Sequence, residues 1–395
     1  MQTFLRLFLL LGLVAAPAFA QGRIGEVVAL VDKSTIPVRV SSGSADLARL
    51  ARQAFGVHGR YKLVESGFKY DIRFSAAGPT QVRVDVLGPH GAEVVSQVVS
   101  GTTPRAALLR AADVAVEQTN EEGLRGFFAA RLAFVGETTG KKEVYVSDLF
   151  LGELKRVTND RAFVLTPRWS PDGQRLLYTS FFKSGFPDIF QYDLRTYERT
   201  TFVSFRGTNQ GARYSPNGAQ VAMVLSGEGS SEIYVGNAQG RQIARRNVGS
   251  SAVKASPCWS PDGGRIVFAM GDATPQLYVM PAGGGGAQRL LTGFSYAAEP
   301  DWSRAKPNRI ACTIKDRGSY QIAVYDFSKG KAEKVSGAPF DGIEPCWLAD
   351  GRHLVYTARD RATSVLCVLD TETGKSTPIS AGLGGGAMQA NVWTP

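Results

Sequence analysis

Few side chains in this sequence could do chemistry. Glu299 and Glu344 stand just ahead of two tryptophans, Trp302 and Trp347. Two equivalent acids facing one space could hold a cation or share acid–base work. Solvated loop acids or partner contacts are the plainer expectation. His58, His90 and His353 stand far apart in the chain, so no metal-binding histidine cluster is expected. Cys258, Cys312, Cys346 and Cys367 form no C-x-x-C pair and have no histidine at ligand spacing. They read as buried free thiols, with Cys258 and Cys346 two repeats apart and beyond bridging distance. No G-x-S-x-G occurs, so the nucleophile elbow of a hydrolase is missing. These residues predict no catalytic group, no cofactor and no bound metal.

The elements that would position these acids belong to a repeat of roughly 45 residues. Arg168-Trp169-Ser170-Pro171-Asp172-Gly173 returns around Tyr214, Trp259, Trp302, Trp347 and Trp393. Ser-Pro-Asp-Gly is a turn with a mechanism, because proline presets φ and glycine relieves strain at the last position. It differs from a sialidase aspartate box, which carries an extra residue between Asp and Gly. Alternating runs follow each turn, such as Arg175–Thr179, Asp188–Tyr192 and Arg199–Val203. With the anchor segment, each unit has four strands.

Such units predict a propeller whose aromatic anchors lie between blades: Trp169, Tyr214, Trp259, Trp302, Trp347 and Trp393. The first unit, from Arg131 to Val157, lacks its anchor strand. The C-terminal strand at Trp393 supplies it, which predicts six blades closed by the end of the chain and no exposed sheet edge. At the fourth anchor, Arg304 to Asn308 replaces Pro-Asp-Gly.

Residues 21–128 have a different, mixed α/β pattern, with strands expected at Glu26–Val31, Pro37–Val40, Tyr61–Val64, Tyr70–Phe74, Val82–Leu87 and Val94–Val99. One helix starts at Ser44 and stops at Gly56; another runs from Thr103-Pro104 to about Glu122. The fold class is therefore mainly β, an α/β domain over 21–128 followed by a six-bladed β-propeller over 129–395.

The apolar run Leu5–Val14, followed by Pro17 and Ala18-Phe19-Ala20, predicts a signal peptide over residues 1–20, cleaved near Ala20/Gln21. It is too short for a membrane span, so an exported protein with no membrane insertion is expected. Removal of Arg6 leaves a net charge of +9 out of +10. The cations are scattered singly, which argues for an acidic partner or envelope surface and against nucleic acid.

Taken together, the export signal, the small α/β domain, the repeats, the run Val144–Asp148 and the closure at Val392-Trp393-Thr394-Pro395 resemble the TolB family. The resemblance implies a non-enzymatic, monomeric periplasmic protein of the Tol-Pal system, acting in envelope integrity and division. It implies that a Pal-type peptidoglycan-associated lipoprotein docks over the channel mouth, against loops containing Thr208, Asn209, Lys254, Ala255, Ala298, Glu299, Ile343 and Glu344. It places a TolA-type inner-membrane partner on the N-terminal segment Gly22, Arg23, Ile24, Gly25, Glu26 and Val27. Two rivals remain: a periplasmic propeller enzyme using Glu299 and Glu344 on a glycan or peptide, and an unrelated ligand-sensing propeller.

Overall fold

The computed structural model describes residue 24 and residues 35–183, 185–246 and 249–395. The expected signal peptide, the expected strand at 26–31 and the TolA-like segment other than Ile24 lie outside the described residues. No helix among the described residues is long and apolar enough to cross a membrane.

The N-terminal part runs β1 (Ile36–Ser42), α1 (Ala45–Val57), β2 (Tyr61–Leu63), β3 (Tyr70–Gly78), β4 (Gln81–Leu87), β5 (Glu93–Ser100) and α2 (Pro104–Thr119), with a 3-10 turn at Pro89–Gly91. Its sheet has the order β2-β1-β3-β4-β5, with β1 parallel to β2 and β3 and the remaining pairs antiparallel. In β4 the period of two puts Val82, Val84 and Val86 into the core and their neighbours outside it. Helices α1 and α2 cover that face with Leu50, Ala54, Phe55, Leu108, Ala112 and Val116.

Ser44 precedes α1 without a side-chain cap bond, whereas the Thr103 hydroxyl caps α2 by accepting from the Ala106 N–H at 3.1 Å. Helix α2 ends three residues before the expected Glu122. Asn120 takes over there, donating to the Val116 carbonyl and accepting from the N–H groups of Glu122 and Leu124. That side chain competes with the helical ladder and turns the chain.

Six four-stranded antiparallel sheets follow, arranged as blades. Blade 1 joins Arg131–Gly136, Glu143–Asp148 and Lys155–Arg156 to the C-terminal strand Ala387–Trp393, the closure expected from the sequence. The innermost strands of blades 2 to 6 are Val164–Trp169, Asn209–Tyr214, Lys254–Trp259, Ala297–Trp302 and Asp341–Trp347. Alternating apolar side chains on both faces of each blade fill the space between neighbours, as in the cluster of Ala222, Val224, Trp259, Ile266 and Phe268.

The aromatics at the ends of the innermost strands reach toward neighbouring blades, and the last of them needs a correction. The indole N–H groups of Trp169, Trp259 and Trp347 donate to the carbonyls of Asn391, Arg213 and Asp301 in the preceding blade. Trp302 instead donates to Pro307 within its own altered turn. In blade 1 Val392 pairs with Leu132, the position that Trp169 takes opposite Leu176, so Val392 and not Trp393 occupies the anchor register. Trp393 lies one residue further along, donating to the Pro171 carbonyl at 3.0 Å. It covers Gly173, where a Cβ would fall 2.3 Å from the indole.

Candidate functional site

Each innermost strand contains one residue with positive φ, at the same place in the repeat: Thr166, Gly211, Ser256, Glu299, Glu344 and Gln389, with φ between 49° and 65°. Five of these six are not glycine, so the backbone strain is held in place by surrounding bonds. Every such position coincides with a break in strand register, a bulge that turns one residue toward the axis. All six line a cavity of about 240 Å³ on the propeller axis.

This places Glu299 and Glu344 in the channel wall, inside the strands and not in the loops entering them. Glu299 accepts from the Thr313 hydroxyl at 2.6 Å and from the Glu344 N–H at 2.9 Å. Glu344 in turn accepts from the Thr357 hydroxyl and from the side chain and N–H of Gln389. Gln389 accepts from the Thr166 N–H at 2.9 Å. Three side chains thus staple four consecutive blades. Burial, with the Glu344 charge adding to it, pushes the Glu299 carboxyl up to about 7 despite the Thr313 bond. Both bonds that Glu299 accepts end on its Oε2.

Further along the axis, Arg213 of blade 3 forms an ion pair with Asp301 of blade 5, and Asp301 also accepts from the Trp347 N–H. Arg168, Arg213, Asp301 and Cys346 line both this cavity and a second one that opens past Trp347 and Trp393. The ion pair therefore lies between the two cavities. All four cysteines are free and buried, and burial raises the thiol of Cys346 to about 12.

The channel has two unlike faces. One carries the Ser-Pro-Asp-Gly turns, and there the N-terminal part covers blades 1 and 6. Phe55, Phe127 and Phe128 share one apolar core with Phe134, Leu348, Val355 and Leu366. Arg352 is buried and binds Asp370 through two bonds at 3.0 and 2.8 Å and Glu122 at 2.9 Å. Burial works against the Asp370 carboxylate, yet the charges of His353 and Arg352 hold it down to about 2. Arg105 of α2 adds a pair with Asp148.

This face also corrects the expectation that the histidines are isolated. His58 and His353 meet with ring centroids 4.4 Å apart, and Asp350 joins them within 4.8 Å. His353 is satisfied at both ring nitrogens, by Asp350 at 2.5 Å and by the Gly59 N–H at 3.1 Å. His58 accepts from the Arg60 N–H, and its Nε2 has no hydrogen-bond partner among the described residues. The bonding of His353 and Asp350 is that of a lock between domains, not of an open ligand set. Burial first, then the charges of His353, Arg352, Lys375 and Arg60, hold His58 well below its usual range. His90 is exposed in the 3-10 turn.

The opposite face is the channel mouth, formed by loops entering the innermost strands and by those joining each second strand to the third. Of the residues expected to meet a lipoprotein there, Thr208 and Ala255 are partly exposed, and Ala298 and Ile343 are buried. Asn209 and Lys254 are fully buried. Asn209 braces its loop through the Phe205 N–H and the Phe205 and Pro187 carbonyls. Lys254 pairs with Glu232 at 2.9 Å, which Arg245 also contacts. Neither side chain is presented to solvent; both brace mouth loops. Ile24 packs against the cluster containing Ala338, Phe340 and Trp347.

The class that these features define is a closed six-bladed propeller with an α/β domain on one face and a braced, open mouth on the other. The TolB beta propeller domain matches residues 120–395, and the chain belongs to that family. The TolB homolog of Chlorobium luteolum is 30% identical over 213 residues, covering 53% of this chain and 48% of that relative. The Tol-Pal system protein TolB of Bordetella pertussis is 31% identical over 166 residues, 42% of this chain and 38% of that one. The chain thus spans less than half the length of these curated relatives. The crystal structure of TolB from Acinetobacter baumannii superposes with a TM-score of 0.80 at 21% identity, covering 93% of this chain and 98% of that one. That likeness speaks for the shared fold.

Proposed function

We propose that this chain is a non-enzymatic, periplasmic protein-binding component of a Tol-Pal envelope system, with residues 21–128 and 129–395 as its two domains. One observation carries the reading: in a TolB-family propeller, one face is covered by its own domain while the mouth loops opposite are braced and open. A Pal-type lipoprotein docks there, touching the loop at Thr208, Ala255 and the Glu299 and Glu344 wall from above, with Asn209 and Lys254 holding the loops from beneath. The TolA-type partner takes Gly22 to Val27, for which the contact of Ile24 with the propeller supplies a point of attachment. Capture from detergent-solubilised envelope with the full chain tests this. Recovery of a Pal-type lipoprotein supports it, and its clean absence with folded bait refutes it.

The enzyme reading draws on one observation, a Glu299 carboxyl raised to about 7 beside Glu344. Such an acid is poised for proton transfer at neutral pH. Glu299→Gln with Glu344→Gln separates the readings: loss of turnover on a glycan or peptide favours the enzyme, and loss of lipoprotein capture without turnover favours the scaffold.

A further inference from the structure

We propose that the mouth face over blades 1 and 2 is a peripheral docking site for an anionic lipid bilayer. Four phenylalanines project there: Phe163, Phe182, Phe186 and Phe205, exposed at 63%, 48%, 66% and 55%. A soluble protein seldom gathers large apolar side chains in the open without using them. They come from three loops tied to one another by hydrogen bonds. The Phe181 N–H donates to the Phe163 carbonyl at 3.0 Å, and Asn209 ties the Pro187 and Phe205 loops together. The three loops are thus held to one another.

Charge around the patch runs one way. Lys141, Arg161, Lys183 and Arg206 are exposed, and none has an ion-pair partner among the described residues. The nearby carboxylates are already engaged: Glu137 with Lys142, and Asp160 with Arg199 and Ser180. Lys142 and Arg199 lie over the rings of Phe163 and Phe182, at 5.9 and 4.2 Å. Unpaired cations among apolar tips match a surface with anionic headgroups above an acyl layer.

A lipid surface fits better than an acidic protein. Protein hot spots favour Trp, Tyr and Arg, and they pair with pockets on the partner. Here the tips are phenylalanines without a polar handle, and they line neither axial cavity. Docking of this kind is interfacial and needs no spanning helix. It stands apart from the lipoprotein reading, which concerns a protein partner over the axial channel.

The test is cosedimentation of the full chain with phosphatidylglycerol/phosphatidylcholine vesicles and with phosphatidylcholine vesicles alone. The expected result is binding to the anionic vesicles only, weakening as salt screens the cations. Phe163→Ser, Phe182→Ser, Phe186→Ser and Phe205→Ser together should reduce it about tenfold or more, with an unchanged melting temperature. Neutralising Lys141, Arg161, Lys183 and Arg206 to Gln should reduce it at least about tenfold. Wild-type chain that ignores anionic vesicles would overturn the proposal, as would a quadruple serine variant that still binds like wild type. Loss of an acidic protein partner by that variant, with vesicles ignored throughout, would assign the patch to protein recognition and overturn it equally.

Discussion

The two faces of the propeller are built from the same repeat, yet they differ in what they leave in solvent. On the turn face, charges are paired and largely buried: Arg352 with Asp370 and Glu122, Arg105 with Asp148. On the mouth face, buried pairs such as Lys254 with Glu232 brace the loops, while apolar rings and cations with no ion-pair partner among the described residues stand in solvent. A group that is satisfied internally contributes to stability, whereas one left exposed is available to a partner. The difference predicts that substitutions at the paired groups of the first face cost stability and those at the exposed groups of the second cost binding.

The strongest way to break that contrast is Arg352→Ala. It leaves Asp370 buried without its partner and should cost about 3–5 kcal/mol in urea unfolding. A cost below about 1 kcal/mol would remove the interdomain lock from the account. Gly173→Ala comes next. The new Cβ meets Trp393 at a residue with φ of +66°, so the closing strand must shift, at a cost of about 2–3 kcal/mol read as a lower melting temperature.

Acid should act on the same face. Unfolded histidine takes up a proton below about pH 6.5, while folded His58 stays neutral in its buried site, so the unfolded state binds more protons. Stability should therefore fall as pH drops below that point, by up to about 1.4 kcal/mol per unit from this residue. His58→Phe should flatten the slope by one proton in urea titrations at stepped pH. An unchanged slope would show that His58 is protonated in the folded state. At the small end, Phe163→Ser and Phe205→Ser should each alter stability by less than about 0.5 kcal/mol.

The propeller was legible because its turn chemistry and aromatic spacing repeat, and even the closure could be read from the missing anchor in the first unit. Trp393 misled because the last aromatic stands one residue past the register, and the contact with Gly173 that fixes it there is not a sequence pattern. The ring of Thr166, Gly211, Ser256, Glu299, Glu344 and Gln389 does carry a signal, since these residues stand three positions ahead of Trp169, Tyr214, Trp259, Trp302, Trp347 and Val392. Their differing side chains hide it, because the shared property is a backbone angle. The pairing of His58 with His353 could not be read at all, as it depends on how two domains dock. Burial of Asn209 and Lys254 was equally hidden, since a loop brace and a loop contact have the same polar composition.

Hydrogen exchange of the full chain, with and without a soluble Pal-type lipoprotein, tests the division between the faces most directly. The account predicts protection in the mouth loops, at 204–208 and 249–254, and unchanged exchange in the turns at 170–174 and 348–352. Protection confined to those turns, or none anywhere at saturating lipoprotein, would contradict it.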